Sequence, residues 1–243
     1  MTNITVSASG LSRRYGARIA VHDIGFELRQ GEVLGLLGPN GAGKTTTLQM
    51  LAGCLAPSSG GIEICGIDLL ERPRQAKSLL GYLPETPPLY REMTVDEFLH
   101  FAARLHRVAK AAVPAAVDSA KQRCGLTEVG KRLIGSLSKG YQQRVGIAQA
   151  IVHNPRVVIL DEPTVGLDPI QIREIRKLIR ELGGEHSVIL STHILPDVES
   201  ICDRVQIMSQ GKLAFAGGMA ELKQAHPQHA SLEEVFIHLT QQE

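Results

Sequence analysis

An α/β fold, with a mainly parallel sheet core, an antiparallel β-layer and a helical insertion, follows from three observations in these 243 residues. Short β-branched apolar runs alternate with amphipathic stretches, as strands and crossover helices do. One run, Val33-Leu34-Gly35-Leu36-Leu37, is apolar throughout and stops at a glycine-rich turn, so it reads as a strand buried on both faces. Between about 85 and 150 the apolar residues instead recur at helical spacing, as in Phe98, Phe101, Ala102 and Leu105.

Taken in order, Ile4-Thr5-Val6-Ser7 and Ile24-Gly25-Phe26-Glu27-Leu28 alternate in and out, the pattern of half-buried antiparallel strands, and place a β-layer before residue 30. The buried strand at 33–37 is followed by a glycine-rich loop and a helix over Thr45–Leu55. Pro84, Pro87 and Pro88 keep the next loop extended. In Thr94-Val95-Asp96-Glu97 the threonine can cap the Glu97 amide while Glu97 reaches back, so a helix starts there. No strand signal appears between Glu85 and Ala150. Val157–Leu160, Ser187–Leu190 and Arg204–Met208 then read as strands, separated by helices near 169–182 and 195–202.

Composition narrows the function classes. At 43% hydrophobic and 21% charged the chain can bury a full core, which excludes disorder. A net charge of +1 and a pI of 7.8 lack the basicity of a nucleic-acid binder, so no nucleic-acid partner is expected. Cys54, Cys65, Cys124 and Cys202 form no C-x-x-C pair, which argues against a zinc knuckle or disulfide framework and fits a reducing cytoplasm. The first residues carry no basic stretch leading into an apolar one, and no run approaches the roughly 20 apolar residues of a membrane helix. Work at a membrane must therefore come through a partner that supplies the spanning helices.

Gly38-Pro39-Asn40-Gly41-Ala42-Gly43-Lys44-Thr45 matches G-x-x-x-x-G-K-[ST] between an expected strand and helix, the context a phosphate-binding P-loop requires. Its glycines let successive N–H groups turn inward onto phosphates, and the helix dipole adds to the field. Lys44 is expected to span the β- and γ-phosphates of a nucleotide and Thr45 Oγ1 to ligate Mg²⁺, with Thr46 beside them. An ordinary glycine-rich turn does not explain Lys44-Thr45. Asp161-Glu162 stand at the carboxyl end of a buried strand, where open α/β sheets bind ligands. Asp161 is expected to hold Mg²⁺ through its water shell. Glu162 is expected to orient and deprotonate the attacking water.

Three further stretches, Leu137-Ser138-Lys139-Gly140-Tyr141, Gly166-Leu167-Asp168 and Ser191-Thr192-His193, complete a set that resembles the nucleotide-binding domain of ABC transporters from about residue 4 to 220. The resemblance implies an ATP-hydrolysing enzyme organised as one domain over 1–243. Segments 1–84 and 151–220 would form the P-loop core with its β-layer, 85–150 a helical subdomain, and 221–243 a short tail with a helix. Leu137–Tyr141 resembles the signature motif, so Ser138 and Gly140 would contact the γ-phosphate held by an opposite protomer. Two chains, copies or a related pair, would then sandwich two ATP molecules. His193 resembles the switch histidine that bonds the γ-phosphate and Glu162, and Asp168 the residue that links the two sites. Tyr15 falls where the family stacks an aromatic on adenine, although a tyrosine packed in the β-layer is the alternative.

Two motifs depart from the family pattern. Lys139 and Tyr141 replace a glycine and a glutamine of the signature, and Glu85 stands where a glutamine is usual. A carboxylate at 85 could hold Mg²⁺ more strongly than an amide or repel the γ-phosphate. These variants, with the terminal Leu232-Glu233-Glu234-Val235-Phe236, resemble the drug-resistance and gliding-motility-type branch, which implies a subunit energising a separate permease for export from the cytoplasmic face. The stretch Gly217–Ser231 before that terminal helix is short for that branch, so an extra C-terminal regulatory domain is expected to be missing. A soluble ATPase serving a cytosolic assembly, such as iron–sulfur biogenesis, would use the same site. The permease contact is expected at Glu85–Arg107.

Other features read as structural. Arg173, Arg176, Lys177 and Arg180 form a stripe interrupted by Glu174 and Glu181, a solvated helix face. Arg104, His106, Arg107 and Lys110 either face the permease or are merely exposed. His226 and His229 read as solvated.

Overall fold

The computed structural model describes residues 3–225 and 231–241. The expected β-layer begins with a hairpin, β1 (Ile4–Tyr15) and β2 (Arg18–Arg29), which bury Val6, Ala8 and Leu11 against Ile24, Phe26 and Leu28. Next come β3 (Val33–Leu37) and α1 (Lys44–Leu51). The β-layer then gains two strands that the sequence did not reveal, β4 (Ser59–Ile64) and β5 (Ile67–Asp68), to give the antiparallel order β2-β1-β4-β5. At Gly60 (φ +92°) a Cβ would fall 2.5 Å from the carbonyl oxygen of Gly10, so glycine is required where the two strands touch.

A short helix α2 (Pro73–Lys77) leads into β6 (Leu80–Leu83). Helices α3 (Val95–Leu105), α4 (Val113–Arg123) and α5 (Lys139–Ile151) follow with no named strand between them. Helix α3 starts at the expected capping box, with Thr94 Oγ1 accepting from Glu97 N and Thr94 N donating to Glu97 Oε2. Then β7 (Val157–Asp161), α6 (Pro169–Leu182), β8 (Ser187–Thr192), α7 (Leu195–Ile201) and β9 (Arg204–Ser209) alternate. The described chain closes with β10 (Lys212–Gly218), α8 (Met219–Ala225) and α9 (Leu232–Gln241).

The core sheet has the order β10-β9-β3-β8-β7-β6, with β10 antiparallel and the others parallel. Side chains alternate across it. Leu34, Leu36, Val157 and Ile159 join the core shared with the β-layer and α1, whereas Val33, Val158, Leu160, Val188 and Leu190 join the core shared with α3–α6. Burial on both faces is why these strands read as unbroken apolar runs. Each buried Leu or Ile contributes about 1.5–3 kcal/mol, so the sheet is a stiff platform for the loops leaving its carboxyl edge.

Two surface readings are corrected. The basic stripe of α6 is solvated at Arg173 and Lys177, but Arg176 pairs with the buried carboxylate of Asp197. Arg180 bonds Asp203 Oδ1 and the Ile201 carbonyl, both at 2.8 Å. His106 leaves the exposed basic cluster of the insertion to stack on His153, with ring centroids 3.8 Å apart. His226 and His229 lie outside the described residues. Among the described residues no helix is long and apolar enough to cross a membrane.

Candidate active site

Adjacent parallel strands deliver the site. In the sheet order β3-β8-β7-β6, the residues just past the carboxyl ends are the P-loop at 38–44, His193, Glu162 and Glu85. They border a cleft of about 360 Å³, which Asn40, Gly41, Gly43, Lys44, Thr45, Thr46, Glu85, Glu162 and His193 line together.

The loop is shaped by its glycines. Gly43 has φ +104° and serves as N-cap of α1, without offering a side chain to cap it. A Cβ there would come within 2.7 Å of the Ala20 carbonyl oxygen, so β2 lies directly behind the turn. An N-terminus without a side-chain cap leaves first-turn N–H groups for an anion. Gly38 and Pro39 hold the Lys44 ammonium through their carbonyl oxygens, at 2.7 and 3.3 Å. That ammonium also stands 3.3 Å from Glu162 Oε1, and both side chains are almost wholly buried. Ala42 is buried beneath the turn.

Register sets the carboxylate side. Asp161 lies opposite Ser191 on β8, and the Ser191 hydroxyl donates to Asp161 Oδ1 at 2.5 Å while accepting from Glu162 N at 2.9 Å. Thr45 Oγ1 donates to the same Asp161 oxygen at 3.4 Å. Burial pushes the Asp161 carboxyl up; hydrogen bonds from Ser191 and Thr45 oppose this, and the charges of Glu162 and Glu85 add to it. Asp161 Oδ2 is buried and has no hydrogen-bond partner. An unpartnered carboxylate oxygen beside a threonine hydroxyl is a donor pair that suits a hard cation, so the residues fit Mg²⁺. Glu162 adopts φ +48°, a strained conformation for a side-chain-bearing residue, and its Oε2 lies 3.0 Å from His193 Nδ1. An ionised carboxylate only accepts, which places a proton on Nδ1.

Four expected contacts lie apart from this cleft. Tyr15 sits half-exposed at the hairpin tip opposite Arg18, which does line the cleft, and Arg13 lies over its ring at 4.7 Å. Ser138 is the exposed N-cap of α5 and accepts from Tyr141 N. Gly140 is buried against Gln171 of α6. Asp168 caps its own helix, accepting from Ile170 N and Gln171 N at 3.0 Å each. Arg18, Val165 and the Ser191 bridge were missed from sequence; only strand register could have revealed the last.

Comparison with known proteins follows the same lines. A family profile described as ABC transporter matches residues 21–165. The uncharacterized ABC transporter ATP-binding protein YxlF of Bacillus subtilis (strain 168) is 43% identical over 90% of this chain and 72% of its own length. The bacitracin transport ATP-binding protein BcrA of Bacillus licheniformis is 39% identical over 86% of this chain and 68% of its own length. A solved structure described as the ATP binding subunit of an ABC transporter superposes with a TM-score of 0.86 at 32% identity, covering 97% of this chain and 99% of that one. None of these three names supports the cytosolic-assembly reading.

Proposed function

This chain belongs to the ABC transporter family as an ATP-binding, ATP-hydrolysing subunit, and from that premise we propose that two such chains, copies or a related pair, close head-to-tail on ATP to drive a permease. One observation carries the reading: four loops from neighbouring strands converge on one cleft, where Glu162 touches both Lys44 and His193, and behind Thr45 the buried Asp161 Oδ2 has no hydrogen-bond partner.

In the proposed reaction the P-loop N–H groups and the N-terminus of α1 cradle the β- and γ-phosphates. Lys44 exchanges the Gly38 carbonyl for phosphate oxygens and neutralises charge there. Thr45 and Asp161 would hold Mg²⁺, with Glu85 close by, and the ion would supply Lewis-acid neutralisation of the phosphates. Glu162 takes a proton from water as the water oxygen attacks the γ-phosphorus. The bond from that phosphorus to the bridging oxygen breaks, and the electron pair leaves on ADP. His193 bridges Glu162, through Nδ1, and the γ-phosphate, through Nε2. Tyr15 stacks on adenine from the hairpin tip. Ser138, the Gly140 backbone and the α5 N-terminus complete the partner's site, with Asp168 at the seam between sites.

The permease is proposed to dock on Glu85–Arg107, where Tyr90 is exposed and Met93, His100, Phe101 and Arg104 border a separate groove. This would hold the subunit peripherally on the cytoplasmic membrane face. Export is the proposed direction, supported by the branch resemblance and by the transport role in the bacitracin relative's name. The test is Glu162→Gln. Turnover should fall by about 10²–10⁴-fold, the range for losing a general base. With Mg-ATP, light scattering should show a trapped dimer. Brisk hydrolysis by this variant would remove Glu162 as the base.

A further inference from the structure

Asp197, in the first turn of α7, has no place in the chemistry above, yet it is one of the most heavily bonded side chains in the molecule. It is fully buried. Its Oδ1 accepts from Arg176 Nε at 2.7 Å and is also paired with Arg176 Nη2. Its Oδ2 accepts from Thr164 Oγ1 at 2.5 Å and from Thr192 Oγ1 at 3.3 Å. A buried carboxylate is tolerated only when paired and hydrogen-bonded, and here both oxygens are satisfied.

The donors show what the carboxylate ties together. Thr164 lies two residues past Glu162, and Thr192 immediately precedes His193. Thr192 Oγ1 also accepts from Ile194 N at 3.0 Å, so that hydroxyl braces the turn carrying His193 from both sides. Glu162 holds a left-handed backbone, a conformation costing about 1–3 kcal/mol that persists only where its surroundings impose it. Ser191 secures that turn at the Glu162 amide. Nothing in that bond fixes the far end of the turn, toward residue 164, against the next loop.

We infer that Asp197 is a positioning residue: by bonding Thr164 and Thr192 through one oxygen, anchored by Arg176 on the other, it holds the Glu162 and His193 loops in register. The inference rests on the roles proposed above for Glu162 and His193. Its consequence is geometric. A displacement of order 1 Å at a reacting group costs about 10²-fold in rate, so a loosened strap should lower the chemical step while leaving nucleotide binding in place.

The test uses the two hydroxyls, because Asp197 variants risk the fold. Thr164→Val keeps the branched shape and removes the donor, whereas Thr164→Ser keeps the donor. In the full chain, Thr164→Val should cut kcat by about 10–100-fold with KM changed less than about threefold, and Thr164→Ser should recover most of the loss. Asp197→Asn, where it folds, should follow Thr164→Val. In a His193→Ala background Thr164→Val should cost little more, since the relationship it protects is already lost. The inference is overturned if Thr164→Val retains full kcat, or if kcat and KM worsen together with the melting temperature and serine brings no recovery. Glu162→Gln, measured alongside, separates the failures. If it turns over normally, the Glu162 reading falls; if it is inactive while Thr164→Val is normal, only the positioning role falls.

Discussion

The P-loop region and the signature region are built on opposite terms. Around the P-loop, Lys44 and Glu162 form a buried ion pair with the buried carboxyl of Asp161 beside them, all held by loops from one stiff sheet, and one turn carries backbone strain. At the signature, Ser138 and Lys139 are exposed, the serine oxygen is turned onto its own helix, and Lys139 borders a different cleft with Gln142 and Gln143. Among the described residues, only Glu85 and Val165 border both clefts. A region that concentrates buried charge can act and fail within one chain. A region that presents neutral donors at a helix start has little to do until an anion is brought to it, and its variants should fail only where two chains meet.

Lys44→Ala should break the first region most severely. It removes the cation for the phosphates and leaves the Glu162 carboxylate buried without its partner, a change that costs about 3–5 kcal/mol when a buried pair is broken. Nucleotide affinity, followed by fluorescent-analogue titration, should fall at least about tenfold, or about 1.4 kcal/mol. The nucleotide-free protein should melt lower. An unchanged melting temperature would mean that the Lys44–Glu162 contact contributes nothing to the fold.

How far this contrast could be read from sequence differs between the regions for a physical reason. The P-loop, the capping box at Thr94 and the buried strands are local patterns, written in consecutive residues. Strands β4 and β5 escaped because Gly60-Gly61 interrupts alternation and two residues are too few to show it; pairing with β1 makes them strands. Ser191 and Asp197 escaped because their roles depend on strand register and on partners distant in the chain: Ser191 lies 30 positions from Asp161, and Asp197 lies 21 from Arg176 and 33 from Thr164. Arg176 was misread as solvated for the same cause, since its partner lies on α7. The departures Lys139 and Tyr141 were visible as letters, but not their placement: Lys139 reaches over Gly166, and Tyr141 lies under Arg144 at 5.8 Å.

Ser138→Ala sharpens the comparison from the other side. Losing the N-cap should cost about 0.5–2 kcal/mol of stability. Single-chain nucleotide affinity should be unaltered, while steady-state ATP turnover falls by about tenfold, as when one charge-assisted hydrogen bond to phosphate is removed. Impaired nucleotide binding in the isolated chain would place the signature in its own chain's site and erase the contrast.

Glu85→Gln, on the border of both clefts, should have the smallest effect. ATP binding should be preserved and the hydrolysis rate should change, by less than about tenfold for one outer charge near a metal site. A rate identical to that of the parent chain would show that Glu85 does not sit at the metal.

The central claim is that each ATP is enclosed by the P-loop of one chain and the signature of another, and mixing two impaired variants tests it most directly. Combining Lys44→Ala chains with Ser138→Ala chains allows a mixed pair in which one intact P-loop faces one intact signature. ATP turnover of the mixture should rise well above the sum of the two variants measured alone. A mixture that never exceeds that sum, while the parent protein hydrolyses ATP at a rate strictly proportional to its concentration, would contradict the account.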